Sequence, residues 1–158
     1  LGYELLARRS ELVALRTDDI ERRADGTLQV IVRRSKADQF GEGRIAFTSR
    51  DTATRINTWL DWRGEGISYL FCPIYQRKPV DRDLSTTTVK QLIKDAAMRA
   101  GFDQSVVADF SGHSLRVGAA QDLLKMGFDT AAIMRAGGWT SVNVLARYLE
   151  KAEHNVWM

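Results

Sequence analysis

The sequence predicts an α+β fold that is predominantly helical and carries one small antiparallel sheet of three strands. Two observations lead to this class. The chain of 158 residues has only two prolines, and the helix formers Ala, Leu, Arg and Lys dominate it. The stretches TLQVIVRR and GRIAFT alternate apolar and polar residues on either side of a polar loop, which indicates a β-hairpin. With 44% hydrophobic residues, we expect a single domain over residues 1–158.

The N-terminal part is predicted to form two short helices followed by the sheet. Apolar residues at helical spacing place the junction of these helices near Arg8, and Ser10 is expected to cap the second helix. The turn signal Asp25-Gly26 precedes the hairpin. The apolar stretch YLFCP, residues 69–73, is predicted to be the short strand that closes the sheet.

The rest of the chain is predicted to be helical, with serines at helix starts and glycines at helix ends. Ser49 and Ser85 are expected to open two helices, and Gly101 is expected to end the second. In the last third, glycines separate several compact helices. Ser141 is predicted to cap the final helix, which runs through Tyr148.

Several classes of protein are disfavoured by composition. The lone Cys72 has no partner for an internal disulfide and no zinc-ligand spacing, which is typical of a reducing compartment. No uninterrupted apolar run approaches the ~18 residues of a membrane helix, and the start LGYELLARR lacks the charge order of a signal peptide. We therefore expect a cytoplasmic protein that does not enter a membrane. Because Leu1 already belongs to a helical pattern, we also expect this chain to be a piece of a longer one.

The charge of the chain permits a polyanionic partner without requiring one. Lys and Arg number 23 against 20 acidic residues, which gives a net charge of +3. Basic residues concentrate in the segments ERRADG and IVRRSK, namely at Arg22, Arg23, Arg33, Arg34 and Lys36. Such a cluster is typical of a surface that faces phosphates, and it is equally typical of a solvated basic face.

The stretch SGHSLRVGAA places a histidine and an arginine on one helical face among small residues. His113 and Arg116 are separated by three positions, and Gly118, Ala119 and Ala120 allow another backbone or a ligand to approach closely. This pattern indicates a small anion-binding platform. The alternative is a helix N-terminus with a purely structural histidine.

Four segments together carry a resemblance to a known family. ARRSELVALRTDDI, RRSK, GHSLRVGAA and AGGWTSVNVLARYL resemble, in this order, the successive catalytic motifs of the tyrosine recombinase (phage integrase) family. The resemblance covers nearly the whole chain. It implies the C-terminal catalytic domain of that family and its fold, with the N-terminal DNA-clamping domain absent from this chain.

The resemblance also implies the catalytic residues, by position in each motif: Arg8, Lys36, His113, Arg116, Trp139 and Tyr148. The first arginine stands three residues before the glutamate of SEL, so Glu11 is implied as its supporting acid. The neighbouring Arg9 is the alternative for this position. Trp139 stands where many relatives carry a second histidine.

The chemistry available to such a set is strand cleavage and rejoining. Two arginines can hold the nonbridging oxygens of one phosphodiester and neutralise charge as phosphorus becomes five-coordinate. The resemblance implies that Tyr148 attacks to leave a 3′-phosphotyrosine and a free 5′-hydroxyl, with His113 exchanging a proton or donating to the phosphate. Trp139 can supply an indole donor. Lys36 is interpreted either as the acid that protonates the leaving oxygen or as a charge that steers phosphates.

No ATP, metal or other cofactor is implied. Glu11 is interpreted as orienting the first arginine, and Asp18 and Asp19 as a solvated helix end rather than metal ligands. Two other functions stay open: relaxation of supercoils by a type IB topoisomerase, which uses the same chemistry, and a catalytically silent DNA-binding module.

The expected partner is double-stranded DNA, whose backbone Arg33 and Arg34 are predicted to bind. The apolar end Val156, Trp157 and Met158, together with the family resemblance, predicts a homo-tetramer on DNA, assembled by passing the C-terminal segment to a neighbouring protomer. Docking of this segment on its own protomer is the alternative.

Overall fold

The computed structural model describes residues 1–33 and 43–152 and confirms the predicted class, mostly helices with a small antiparallel sheet. The N-terminal half holds α1 (Arg9–Ala14), a 3-10 turn (Thr17–Asp19), β1 (Ile20–Arg22), β2 (Leu28–Val32), β3 (Arg44–Phe47) and α2 (Arg50–Arg63). The rest of the chain holds β4 (Ile74–Tyr75), β5 (Lys78–Pro79), α3 (Thr86–Arg99), α4 (Gln104–Asp109), α5 (Ser114–Lys125), α6 (Thr130–Gly137) and α7 (Val142–Leu149).

The main sheet has the order β1-β2-β3 and is antiparallel throughout. The predicted hairpin of β2 and β3 is confirmed, with Val30 opposite Ala46. The prediction that residues 69–73 close the sheet is wrong, because β1 takes that place. Residues 69–70 instead lie along the segment after α1, where Tyr69 forms a single bridge with Arg16. With three residues, β1 is too short to show an alternating pattern.

Two hydrophobic clusters make up the core. The first joins the inner face of the sheet to α1, α2 and α3 through aliphatic side chains that include Leu5, Leu12, Leu28, Val30, Ile56 and Val89. The second lies among α5, α6 and α7 and includes Leu6, Ala119, Ala120, Ile133, Trp139 and Leu145. The consecutive residues Leu5 and Leu6 therefore pack into different clusters. Each fully buried large side chain contributes about 1.5–3 kcal/mol to folding.

The predicted helix starts are largely confirmed by cap geometry. The hydroxyl oxygens of Ser49 and Ser85 each accept a hydrogen bond from the backbone N–H three residues later, at 3.2 and 3.0 Å. Ser141 also occupies the N-cap position, although its side chain makes no cap hydrogen bond. The prediction for Ser10 is wrong: α1 begins earlier, with Arg8 as its N-cap, since the Glu11 carboxylate already accepts from the Arg8 N–H at 2.8 Å.

Candidate active site

Arg116 lies beside the second hydrophobic cluster and is 1% exposed. Its Nη1 donates to the backbone oxygens of Leu6 and Gly137, the latter at 2.8 Å. The guanidinium stacks on Trp139, with 3.7 Å between its central carbon and the ring centroid. Nη2 is buried and has no hydrogen-bond partner among the described residues. A buried N–H group without an acceptor lowers the stability of the fold, unless a ligand accepts its hydrogen bond.

The electrostatic surroundings of Arg116 favour binding of an anion. Burial, followed by the positive charges of Arg8 and Arg44, lowers the pKa of Arg116 to about 10. Glu11 and Tyr148 act in the opposite direction. The guanidinium remains charged at neutral pH. A phosphate beside it would relieve the repulsion among the three arginines.

Arg8 lies beside Arg116 because Glu11 holds it there. Arg8 is the N-cap of α1, and its Nη1 donates to Glu11 Oε1 at 2.7 Å. Glu11 is 5% exposed, so this carboxylate is a fixed internal partner. Arg9 points elsewhere: its Nη1 donates to the backbone oxygen of Thr86 at 3.4 Å. Of the two adjacent arginines, Arg8 is therefore the one that belongs to the cluster around Arg116.

A glycine accommodates the diverging Arg9 side chain. A Cβ atom added to Gly112 would lie 1.9 Å from Cδ and Nε of Arg9, so the arginine crosses directly over the Gly112 backbone. The small residue before His113 in the SGH segment thus serves packing between α1 and the start of α5.

Trp139 connects Arg116 to Tyr148. The indole is 7% exposed and lies on Gly137, where an added Cβ would be 1.9 Å from the ring. The Trp139 and Tyr148 ring centroids are 6.1 Å apart in an edge arrangement. Tyr148 is half-buried near the end of α7, and its backbone oxygen accepts from Gln121 Nε2 at 2.8 Å. One tryptophan therefore contacts both predicted catalytic partners.

His113 occupies the N-cap position of α5 with its side chain exposed. It stands one helical turn before Arg116, at the same end of the helix. Its backbone N–H donates to Ser111 Oγ at 3.2 Å. The structure thus places an exposed histidine at the start of α5, three residues before the buried Arg116.

Arg44 belongs to the same cluster and was missed by sequence reasoning. Its Nη1 donates to the backbone oxygen of Ala136 at 2.8 Å, and its Nη2 donates to Glu11 Oε2 at 3.3 Å. It begins β3, paired with the buried Val32 and on the same face as Ala46. An arginine at an inward position of an alternating strand was the available signal.

Among the residues predicted to form a basic face, only part lies within the described residues. Lys36 and Arg34 lie outside the described residues, as does the C-terminal end Val156 to Met158. Arg33 is half-exposed, and its Nε donates to both carboxylate oxygens of Asp19 at 2.8 Å.

The interpretation of Asp19 as part of a solvated helix end is wrong. Asp19 is 4% exposed, because its carboxylate accepts from the backbone N–H of Arg16 as well as from Arg33. Within residues 1–33 and 43–152, no group of three or more His, Cys, Asp or Glu residues could hold a metal ion. In the same part of the chain, none of the helices has the length and apolarity needed to cross a bilayer.

Comparison with known proteins identifies the family to which this fold and this group of arginines belong. The model of the phage integrase family matches residues 1–155, and the chain belongs to that family. Among curated proteins, Recombinase cre of Escherichia phage P1 is 29% identical over 167 residues, covering 97% of this chain and 48% of that protein. An integrase/recombinase xerD homolog of Selenomonas ruminantium is 30% identical over 158 residues, covering 96% and 45%.

Solved structures agree on the fold. XerA recombinase superposes with a TM-score of 0.74 at 23% identity, covering 98% of this chain and 50% of that one. XerH site-specific recombinase bound to difH substrate, in a pre-cleavage complex, gives 0.73 at 18% identity, covering 99% and 42%. The predicted resemblance to tyrosine recombinases is confirmed. The chain spans about half the length of the curated relatives it matches.

Proposed function

We propose that this chain is the catalytic domain, residues 1–158, of a site-specific recombinase that cleaves and rejoins double-stranded DNA through a 3′-phosphotyrosine intermediate, without metal or nucleotide cofactor. One observation carries the proposal. Arg116 is buried with Nη2 unpartnered among the described residues, in a cluster that also contains Arg8 and the Tyr148 ring. A phosphodiester bound there would accept a hydrogen bond from Arg116 Nη2 and would lie close to Tyr148, the proposed nucleophile.

The arginines would bind the scissile phosphate and stabilise its transition state. Arg8 and Arg116 would each donate to a nonbridging oxygen, on which negative charge increases during attack. Their other contacts, to Glu11 and to backbone oxygens, hold both guanidinium groups before DNA binds. Such preorganised donors act without reorganisation at the moment of reaction, and each is worth about 3–4 kcal/mol.

Tyr148 would act as the nucleophile. Its oxygen would form a bond to phosphorus while the bond from phosphorus to the 5′-oxygen breaks, which leaves a 3′-phosphotyrosine and a free 5′-hydroxyl. We assign the tyrosine proton to His113 and the proton gained by the leaving oxygen to Lys36. Attack by another 5′-hydroxyl reverses these steps, so the phosphoester bond is conserved and ATP is not consumed. Trp139 would hold the ring and supply an indole donor.

Assembly and DNA contacts are further parts of the proposal. Arg33 and Arg34, which are close to Lys36 in the sequence, would bind the DNA backbone. We propose a homo-tetramer on DNA in which the segment at 153–158 passes to a neighbouring protomer. A cytoplasmic location fits a protein whose one cysteine, Cys72, is buried as a free thiol.

Covalent capture tests the function and finds the target sequence in the same experiment. The chain is incubated with nicked duplexes that carry a randomised central segment, and adducts that survive detergent are recovered and sequenced. We expect one enriched sequence, attachment of DNA to Tyr148 by peptide mass spectrometry, and the same yield in the presence of a chelator. Tyr148→Phe should retain DNA binding and form no adduct.

The outcomes separate the alternatives. Adducts at another tyrosine, or strict dependence on added magnesium, contradict the proposal. Tyr3 is a poor alternative nucleophile, since burial and its bond to Asp122 raise its pKa to about 12. Equal relaxation of supercoiled plasmids with and without the captured sequence, with no strand exchange, identifies a topoisomerase. Binding with no adduct from the unsubstituted chain identifies a silent DNA-binding module.

Lys36 can be tested separately from the arginines. If Lys36 protonates the leaving oxygen, Lys36→Ala should cleave ordinary DNA very slowly and recover on a substrate with sulfur at the 5′-bridging position, because a thiolate leaves without protonation. Equal impairment on both substrates, relieved by lower salt, would instead show a lysine that only steers phosphates.

A further inference from the structure

Arg44 contacts residues close in sequence to two proposed catalytic residues, Arg8 and Trp139. Its guanidinium contacts the carboxylate of Glu11 in α1 and the backbone oxygen of Ala136 in α6, and its Nη2 is 3.4 Å from the backbone oxygen of Leu6. The side chain is 13% exposed. It starts from the first residue of β3.

The backbone around Arg44 is shaped to receive it. Gly138 ends α6 in the left-handed region at φ 65°, and a Cβ atom there would lie 2.9 Å from Arg44 Cδ. Leu6 also has a positive φ, 47°, which costs a residue with a side chain roughly 1–2 kcal/mol. In this conformation the Leu6 oxygen accepts from both Arg44 and Arg116. Two residues with positive φ, Leu6 and Gly138, therefore lie in contact with the guanidinium-bearing side chains of Arg44 and Arg116.

The carboxylate of Glu11 accepts hydrogen bonds from two arginines, Arg8 and Arg44. Arg8 donates to Oε1 of this carboxylate and Arg44 donates to Oε2. Loss of the Arg44 contact would release one side of the carboxylate. It would also release the Leu6 oxygen to Arg116 alone. Both changes act on the groups that would bind phosphate.

We propose that Arg44 is a positioning residue for strand cleavage: through Glu11 and the Leu6 backbone oxygen, it holds Arg8 and Arg116 in the geometry that stabilises the transition state. Its own guanidinium is turned toward a carboxylate and backbone oxygens, so its effect on the phosphate is exerted through the other two arginines. The inference rests on the proposed function.

The test measures single-turnover cleavage at saturating DNA on the sequence captured by the unsubstituted chain. We expect Arg44→Met to cleave ~10–100-fold more slowly while its Kd for DNA changes less than about threefold, as for outer partners of catalytic groups. Arg44→Lys should recover part of the rate, since it keeps a charge near Glu11 but cannot reach all three partners. The matched control is Arg50→Met, which removes an arginine that donates to the Asp25 backbone oxygen at 2.7 Å, outside the cluster.

A neutral substrate distinguishes positioning from general damage to the fold. A methyl group in place of one nonbridging oxygen removes one negative charge from the scissile phosphate, so the reaction depends less on the two arginines. The defect of Arg44→Met should shrink at least about tenfold on this substrate. The defect of Lys36→Ala, which concerns the bridging oxygen, should not shrink.

Two results would overturn the inference while leaving the proposed function intact: Arg44→Met cleaving like the unsubstituted chain, or an equal loss on charged and neutral substrates. Failure of the unsubstituted chain to form any adduct would overturn the proposed function itself. Thermal unfolding of each variant gives the folded fraction by which rates are normalised, so a loss of stability is not counted as a loss of catalysis.

Discussion

Two arginines are buried in the part of the chain that the structure describes, and they lie in different regions. Arg63, at the end of α2, is 5% exposed and Arg116 is 1% exposed. Both donate to backbone oxygens, and each has one buried nitrogen without a described partner, Nε in Arg63 and Nη2 in Arg116. Burial and an unsatisfied donor therefore do not by themselves identify an active site.

The surroundings of the two arginines differ. Arg63 Nη1 is shared among Thr17 Oγ1 and the backbone oxygens of Tyr69 and Leu70, which fastens the end of α2 to a neighbouring segment. Arg116 has Trp139 on its face and other charged groups around it. The comparison indicates a structural role for Arg63 and a phosphate-binding role for Arg116.

The largest expected effect separates these roles directly. Arg116→Met should slow covalent cleavage by ~10³-fold, because a donor to the transition-state phosphate is lost. Arg63→Met should lower the free energy of unfolding by about 1–3 kcal/mol, since backbone oxygens lose their donor, and should leave cleavage per folded molecule unchanged. Adduct formation and denaturant unfolding are measured on both. A catalytic defect in Arg63→Met alone would reverse the comparison.

The adjacent pair Arg8 and Arg9 sharpens the comparison within one helix. Arg8→Ala should lose about 3–4 kcal/mol of transition-state stabilisation, while Arg9→Ala, which removes a contact to Thr86, should lose much less. Single-turnover rates on the captured sequence measure both. If the larger loss follows Arg9→Ala, the assignment of the first catalytic arginine is displaced by one residue.

Two helical glycines test how tightly the Arg116 region is packed. Gly137→Ala should destabilise the fold by ~1–3 kcal/mol, because the new methyl group would collide with Trp139. At Gly118 in α5, no atom lies within 4 Å of an added Cβ. Gly118→Ala should therefore stabilise the chain by up to about 1 kcal/mol through helix propensity. Denaturant melts give both values, and equal changes would contradict the packing described for Trp139.

The smallest expected effect is in the pH profile. Burial lowers the pKa of Arg116 to about 10, and a nearby phosphate raises it because the charged form is favoured. Cleavage at subsaturating DNA should therefore decline as the pH rises through about 10, when free Arg116 loses its proton. At saturating DNA the decline should shift to higher pH. Identical profiles at both DNA concentrations would contradict an Arg116 that meets the phosphate.

Local signals carried much of the prediction. The serine caps at Ser49 and Ser85 were predictable because a cap hydrogen bond spans only three residues. The pairing of Arg8 with Glu11 spans three residues as well, so motif spacing was enough to propose it. By contrast, β1 was missed, because a three-residue strand is defined by its neighbour β2 rather than by its own pattern.

By itself, the sequence determined the order of the motifs, the class of fold and the identity of the residues proposed to act on a phosphodiester. Only the tertiary structure shows which guanidinium N–H groups already donate to acceptors within the protein. Arg116 bonds the backbone oxygens of Leu6 and Gly137, which lie 110 and 21 positions away, and Arg44 joins the same cluster from β3. Side-chain contacts across such separations depend on how helices and sheet pack together, and no local periodicity encodes them. The burial of Asp19 and of the Arg116 Nη2, which lacks a partner among the described residues, follows from the same packing.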